Sequence, residues 1–229
     1  MISTGNDIVS LTATNVIRTK SPEFYSKIIS LAERALFDTL DQSALPFDRF
    51  VWLLWSVKES AYKYLNRLNP GIVFTPVKFE VQSIEIPPGY SCSGIFADEF
   101  TRCGFKDMVS FNGLVVFEDK KLFSKTMIFN EFIASFVNAN NDFETVFWGV
   151  KRIEDTAYKC QSAMIRDFTL NTLCKVLGSG DLIIGKNDDE IPVVSNKGKR
   201  LDVPVSLSHH EHWVAFSFQI PASSFFSDG

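Results

Sequence analysis

The sequence has few cysteines, only a mild net charge and no long apolar run. A formal net charge of −4 gives no reason to expect nucleic acid or a membrane surface as a partner. No apolar run approaches the roughly 18 residues of a membrane span, and residues 1–7 have neither the basic nor the apolar region of a signal peptide. The four cysteines show no close pair or metal-binding spacing, which favours buried or free thiols in a reducing cytoplasm: Cys92, Cys103, Cys160 and Cys174.

What is present is ordinary for a globular protein of 229 residues, with a hydrophobic fraction of 45% that suffices for a substantial core. The pattern predicts a short buried strand over 2–11 and a helix that begins at Ser21-Pro22. A long helix is predicted over 48–68, ended by Asn69-Pro70-Gly71. Strands are predicted over 77–86, 114–117 and 125–137, with an irregular segment over 87–113.

The pattern restarts after a polar, turn-prone linker at 138–142. A strand over 146–153 and a helix over 155–177 precede strands near 182–184, 191–194 and 203–220. When residues 55–65 are set over 163–173, Lys58-Glu59 coincides with Arg166-Asp167, and Lys63 faces Asn171. We therefore predict an α+β protein of two similar halves, 1–140 and 143–229. Each half would be a long helix packed on an antiparallel sheet, and a pseudo-twofold axis would relate the two.

Chance similarity between amphipathic helices and apolar strands is the alternative to an internal repeat. If the halves do form an internal pseudodimer, a monomer is the expected oligomeric state.

The first candidate for chemistry is the sequence Gly5-Asn6-Asp7-Ile8 within the first predicted strand. A carboxylate inside an apolar strand is costly to bury unless it is paired or binds a metal. The alternative is a carboxylate that accepts backbone hydrogen bonds at a strand end.

The second candidate lies on the long helix, where Trp55, Glu59 and Lys63 are one turn apart and share a face. Apolar residues surround this set, and Lys58 precedes the acid. A carboxylate flanked by two lysines suits a metal-bound polyphosphate, because the carboxylate can bind Mg²⁺ while the ammonium groups neutralise phosphate oxygens. The alternative is a solvated ion pair between residues four apart, which contributes little stability.

The third candidate is the segment 203–215, which contains all three histidines of the chain. Ser208 and His209 could offer hydroxyl and imidazole donors to a phosphate. Zinc is a weaker interpretation, because the histidines lack a distant fourth ligand and have poor geometry on a strand.

Together the three segments resemble the 4'-phosphopantetheinyl transferase superfamily. Its members share a Gly-x-Asp-Ile strand, a Trp-x-x-Lys-Glu-(Ser/Ala)-x-x-Lys helix and a Ser-x-Ser-His strand, found here at 5–8, 55–63 and 206–209. Residues 24–33 also look like the helix between the first two motifs. The chain is similar in motif order to the short holo-acyl-carrier-protein synthases, and similar in length to the pseudodimeric type. This implies one complete site between the halves, with the metal residues in the first half and the Ser-His strand in the second.

The resemblance implies Mg²⁺-dependent transfer of phosphopantetheine from coenzyme A to a serine of an apo acyl or peptidyl carrier protein. Asp7 and Glu59 would bind Mg²⁺, Glu59 would act as the base, and Lys63 would stabilise the leaving 3',5'-ADP. The phosphates would be held by Lys58, Ser208 and His209, and the 3'-phosphate by Lys151, Arg152 and Lys159. Each of the last three has a solvated surface charge as its alternative. Two rival hypotheses are an inactive relative that binds coenzyme A or a carrier protein, and a structural protein whose motifs are coincidental.

The chain departs from the family pattern at two places. Val9 stands where the pseudodimeric type has a third acid, so a water would fill that position. Glu190-Ile191-Pro192 stands where Gly-Lys-Pro is common, and a nearby basic turn could replace its phosphate contacts: Lys197, Lys199 and Arg200.

Overall fold

The computed structural model describes residues 2–90 and 96–220, so Cys92 lies outside the described residues. Over these ranges the chain forms three antiparallel sheets and five α-helices. Four helices precede most of the first sheet: α1 (Val16–Thr19), α2 (Pro22–Tyr25), α3 (Leu31–Asp38) and α4 (Phe47–Leu68). The fifth, α5 (Tyr158–Leu177), belongs to the second half. The α+β class with antiparallel sheets is confirmed.

The first sheet has five strands in the order β1 (Gly5–Ser10), β6 (Phe132–Asn138), β5 (Lys120–Ile128), β4 (Phe111–Phe117) and β2 (Glu80–Glu85). The long helix α4 packs against this sheet and buries an apolar stripe that includes Phe50, Leu54, Val57 and Ala61. Strand β1 is therefore an edge strand with α4 on one of its faces.

The second sheet has the order β11 (Val205–His210), β12 (Trp213–Gln219), β7 (Val146–Arg152) and β3 (Glu99–Cys103). Helix α5 packs on it through Ile165 and Phe168, whose ring meets Phe216 edge to face. A small third sheet follows α5, in the order β10 (Lys199–Arg200), β9 (Pro192–Asn196) and β8 (Leu182–Lys186). The pairing order β1–β6–β5 matches β7–β12–β11, whereas the pseudo-twofold axis stays a prediction.

Strands β1 and β11, the edges of the two large sheets, meet through side-chain hydrogen bonds. The backbone N–H of Asn6 donates to Ser206 Oγ (3.1 Å), and that of Ser10 donates to His210 Nδ1 (3.2 Å). Alternate side chains of β11 thus satisfy outward-facing donors of β1, which an edge strand would otherwise leave unpaired. This contact brings the Gly-x-Asp strand against the Ser-His strand.

Gly5 permits the close approach of α4 to β1. A Cβ at this position would lie 2.0 Å from the Ser60 carbonyl oxygen, so any larger residue would push the helix away. The helix also presents small side chains to the strand, and Ser56 Oγ donates to the Asp7 carbonyl (3.4 Å). The glycine of the first motif therefore sets the distance between Asp7 and the helix that carries the second.

Three sequence-based element predictions were wrong. The predicted strand 125–137 is a hairpin, because the chain turns at Phe129, whose N–H donates to the Phe132 carbonyl (2.9 Å). The helix predicted from Ser21 is two helices, since Ser30 and Glu33 form a capping box that begins α3. The segment predicted to be irregular contains β3, which pairs with β7 of the other half. The two long helices were predicted to within three residues at either end.

None of the described helices is both long and apolar enough to cross a membrane.

Candidate active site

Asp7, Glu59 and Lys63 meet where β1 faces α4. Lys63 Nζ lies 3.1 Å from Asp7 Oδ1 and 3.2 Å from Glu59 Oε1, so these two carboxylate oxygens are at most 6.3 Å apart. Asp7 is almost completely buried, whereas the side chains of Glu59 and Lys63 are 27% and 24% exposed. The strand thus supplies a fixed carboxylate, and the helix supplies a second carboxylate and a cation that remain open to a ligand.

The environment of Asp7 is unfavourable for an isolated carboxylate. Burial raises the pKa of Asp7 to about 7; the Lys63 charge opposes this shift, and the Glu59 charge adds to it. For Lys63, burial acts to lower the pKa, but the charges of Asp7 and Glu59 outweigh it and raise the pKa. The ammonium group therefore stays protonated between the two acids.

The same group of residues fits a divalent cation. Asp7 Oδ2 is buried and has no hydrogen-bond partner among the described residues, which is costly unless another ligand binds it. Within the described ranges, His, Cys, Asp and Glu form no group of three or more that could hold a metal ion. Mg²⁺ keeps several waters and needs only one or two carboxylates besides phosphate oxygens, so Asp7 and Glu59 are a sufficient protein contribution.

A cleft of about 340 Å³ opens beside Lys63. Helix α4 contributes Tyr62, Lys63 and Asn66 to its wall, and the facing wall comes from α5, the loop between β8 and β9, and β11. Arg67 of α4 donates from Nη1 to the Pro192 carbonyl (2.9 Å) and from Nη2 to the Val205 carbonyl. The cleft therefore lies between the first-half helix and second-half elements that this helix holds in place.

His209 lines this cleft. Its ring meets the Tyr158 ring edge to face, with centroids 5.3 Å apart. Burial lowers the pKa of His209, and the positive charges of Lys63 and Arg166 lower it further, so the imidazole is neutral at pH 7. It can donate one hydrogen bond to a ligand without adding a positive charge to the cleft.

Ser208 lies on the other face of β11, because side chains alternate along a strand. It is 4% exposed, its Oγ accepts from Asn6 Nδ2 (2.7 Å) and it donates to the Ala215 carbonyl (3.3 Å). The structure thus brings His209 to the cleft and places Ser208 in the contact between the two sheets.

The prediction that Lys58 holds a phosphate needs correction. Lys58 is fully buried and its Nζ donates to Glu33 Oε2 and to the Ile28 carbonyl, both at 2.7 Å. Glu33 also accepts from the backbone N–H groups of Ser30 and Val81 (2.7 Å each). Because Lys58 lies about 100° around the helix from Glu59, it faces the core and joins α4 to α3 and β2.

The three residues suggested for the 3'-phosphate do not line the cleft. Lys151 pairs with Glu99 on β3 (2.7 Å), and Arg152 lines a different cleft beside Trp213. Lys159 is exposed near the start of α5. The basic residues of the β9–β10 hairpin, Lys197, Lys199 and Arg200, do not line the cleft beside Lys63 either.

Arg166 and Lys186 line the cleft, and sequence reasoning missed both as site residues. Arg166 is half-buried, its Nη1 donates to the Ser162 carbonyl (2.8 Å), and Lys186 pairs with Glu190. The signal for Arg166 was its spacing of four residues from Ser162, which with Tyr158 forms a polar stripe along α5. Glu190, Ile191 and Pro192, which stand where Gly-Lys-Pro is common in the family, also line the cleft.

Comparison with known proteins bears on the first half of the chain. The family model described as the 4'-phosphopantetheinyl transferase superfamily matches residues 3–106, a range that contains Asp7, Glu59 and Lys63. No curated protein matches the chain. The resemblance seen in the sequence is confirmed over that range: residues 3–106 are similar to the 4'-phosphopantetheinyl transferase superfamily.

Proposed function

We propose that this chain transfers the 4'-phosphopantetheine group of coenzyme A to a serine of an apo carrier protein, in a Mg²⁺-dependent reaction of the holo-acyl-carrier-protein synthase type. The observation that carries the proposal is the convergence of Asp7, Glu59 and Lys63, drawn from two separate motifs, beside an open cleft. Two acids and a cation at hydrogen-bond distance match the demands of diphosphate chemistry, which needs charge neutralisation and positioning.

Asp7 and Glu59 would hold Mg²⁺, and Asp7 Oδ2 is a buried carboxylate oxygen without a hydrogen-bond partner among the described residues. When bound there, Mg²⁺ would neutralise the negative charge of the coenzyme A diphosphate. Asp7 is suited to act as a fixed metal ligand because β1 and α4 enclose its side chain. Glu59 is suited to a second role because its carboxylate is part-exposed.

The chain's own residues would divide the transfer step between them. The hydroxyl oxygen of the carrier serine attacks the phosphorus next to pantetheine, and Glu59 accepts the proton of that hydroxyl. The bond between that phosphorus and the bridging oxygen breaks, and the electron pair leaves with 3',5'-ADP. Lys63, between the acids and the cleft, stabilises the charge that develops on this leaving group.

The cleft would hold the nucleotide part of coenzyme A. Its wall combines the aromatic rings of Tyr62 and Tyr158 with the cations of Lys63, Arg166 and Lys186. Aromatic faces suit an adenine ring and guanidinium groups suit phosphates. His209 would donate to a phosphate oxygen from the β11 side. Since both halves build the wall, a single chain would hold the complete site.

Incubation with coenzyme A, Mg²⁺ and a panel of apo carriers, read by intact mass, tests the proposal. The expected result is a gain of one phosphopantetheine group on at least one carrier, which is lost when the metal is chelated. Binding of coenzyme A or carrier without any mass gain across fatty-acid, polyketide and peptide-synthetase carriers would instead support the inactive binding relative.

A further inference from the structure

The contact between β1 and β11 contains a buried hydrogen-bonded pair that the proposed chemistry does not use. Asn6 is fully buried and its Nδ2 donates to Ser208 Oγ at 2.7 Å, a contact between residues 202 positions apart. Asn6 Oδ1 has no hydrogen-bond partner among the described residues, so within these residues the bond to Ser208 is what holds the Asn6 side chain in place. Each of these residues is adjacent in sequence to a residue of the candidate site, Asp7 and His209.

Ser208 is poorly placed to bind a phosphate. A hydroxyl has a single proton to donate, and here that proton points to the Ala215 carbonyl while a lone pair accepts from Asn6. A phosphate oxygen needs a donor, and Ser208 could become one only by breaking the Ala215 bond and leaving the interior. The hydroxyl therefore acts within the fold.

We propose that Asn6 and Ser208 are positioning residues that fix the separation between the metal-binding side of the site and its phosphate-binding side. Asp7 and His209 project from adjacent strands that no backbone ladder joins. Their relative position therefore depends on side-chain bonds, and those that join β1 to β11 directly are the Asn6–Ser208 pair and the contacts to Ser206 and His210. This inference rests on the proposed function, because it assumes that one ligand spans both sides.

The kinetic test is a double-mutant cycle of Asn6→Ala, Ser208→Ala and the double variant. Each single change is expected to lower kcat about tenfold, because a small misplacement of reacting groups is costly. The double variant should lose no more, since both singles remove the same bond. The KM for coenzyme A should stay within about twofold of wild type. A phosphate-binding Ser208 would instead raise that KM in Ser208→Ala and leave Asn6→Ala close to wild type, which overturns the inference.

Thr4→Ala is the matched control. Thr4 is also buried beside β1, and its Oγ1 lies 2.9 Å from Ser217 Oγ, so it too joins the two halves, but through β12. The kcat of Thr4→Ala is expected to match that of the wild type. An equal loss in Thr4→Ala would mean that any loosening between the sheets lowers activity, and the specific role of Asn6 and Ser208 would be wrong.

Hydrogen–deuterium exchange tests the same pair without any need for activity. In Asn6→Ala, exchange over 205–210 should rise about tenfold, while exchange over 158–177 stays at the wild-type rate. If the wild type transfers no phosphopantetheine, the proposed function fails, yet this comparison still decides whether the pair holds β11 against β1. Unchanged exchange over 205–210 in Asn6→Ala would overturn it.

Discussion

The two long helices carry the same cation–acid sequence at matched positions and use it in different ways. On α4, Lys58 is buried against Glu33, and Glu59 turns toward the site. On α5, Arg166 faces the cleft and Asp167 is exposed. The acid thus faces the candidate site on one helix, and the cation faces the cleft on the other.

The difference continues one turn further along each helix. Lys63 bridges Glu59 and Asp7, whereas Asn171, its match on α5, is exposed and carries no charge. The environment of each position decides its role. The cation of the pair meets a buried acid on α4, and the matching cation meets an open cleft on α5. Substitutions on each helix test this division, from the largest expected effect to the smallest.

Removing the buried cation of α4 should cost stability rather than substrate affinity. Lys58→Ala leaves Glu33 buried without its ion-pair partner, and breaking such a pair costs about 3–5 kcal/mol. Urea unfolding of the variant against wild type measures the change. A variant of wild-type stability with a raised KM for coenzyme A would contradict this and restore a phosphate role for Lys58.

Removing the site acid should abolish most turnover. Glu59→Gln keeps the side chain's size but loses the charge needed for metal binding and proton transfer, so kcat should fall at least about a hundredfold. The rate of carrier mass gain at saturating Mg²⁺ measures it. The control is Asp167→Asn, which should retain wild-type turnover. If Asp167→Asn abolishes transfer while Glu59→Gln does not, the active half has been assigned wrongly.

Removing the site cation should have a somewhat smaller effect. Lys63→Ala takes away the charge next to the leaving group. The kcat should fall by up to about a hundredfold, which is the smallest loss typical of removing one transition-state donor. Metal affinity, measured by Mg²⁺ titration of the rate, should not weaken. A raised Mg²⁺ requirement with unchanged kcat at saturation would show that Lys63 organises the metal site instead.

Removing the cation of α5 should affect binding alone. Arg166→Ala should raise the KM for coenzyme A about tenfold, as expected for one lost hydrogen bond to a charged group, and leave kcat unchanged. Lys175→Ala, an exposed cation on the same helix, is the control and should match wild type. Equal KM values for both variants and wild type would remove Arg166 from the binding cleft.

The sequence predicted the convergence of residues whose placement follows from local geometry. Glu59 and Lys63 share a helical face, and Asp7 is an acid within an apolar strand, so their convergence needed only that the strand lie beside the helix. Helical spacing also held the signal that Lys58 is buried, since it follows Leu54 by four residues and precedes Ala61 and Leu65 on the apolar stripe. The resemblance to the family motif, in which Lys58 directly precedes Glu59, instead led to the prediction that Lys58 holds a phosphate.

Other features depend on contacts between distant segments and could not be predicted locally. The bond between Asn6 and Ser208 exists only because two edge strands meet. Strand β3 crosses from the first half to pair with β7, and its sequence does not identify its partner. Arg166 belongs to the site only because the β8–β9 loop and β11 close around it.

A crystal structure with coenzyme A and Mn²⁺ in place of Mg²⁺ would test the central claim most directly. Mn²⁺ takes similar oxygen ligands, and its anomalous signal locates it independently of the surrounding density. The account predicts one peak between the carboxylates of Asp7 and Glu59, with the coenzyme A diphosphate beside Lys63 and the nucleotide in the cleft near His209. A peak beside Asp167, or coenzyme A bound away from this cleft, would contradict it.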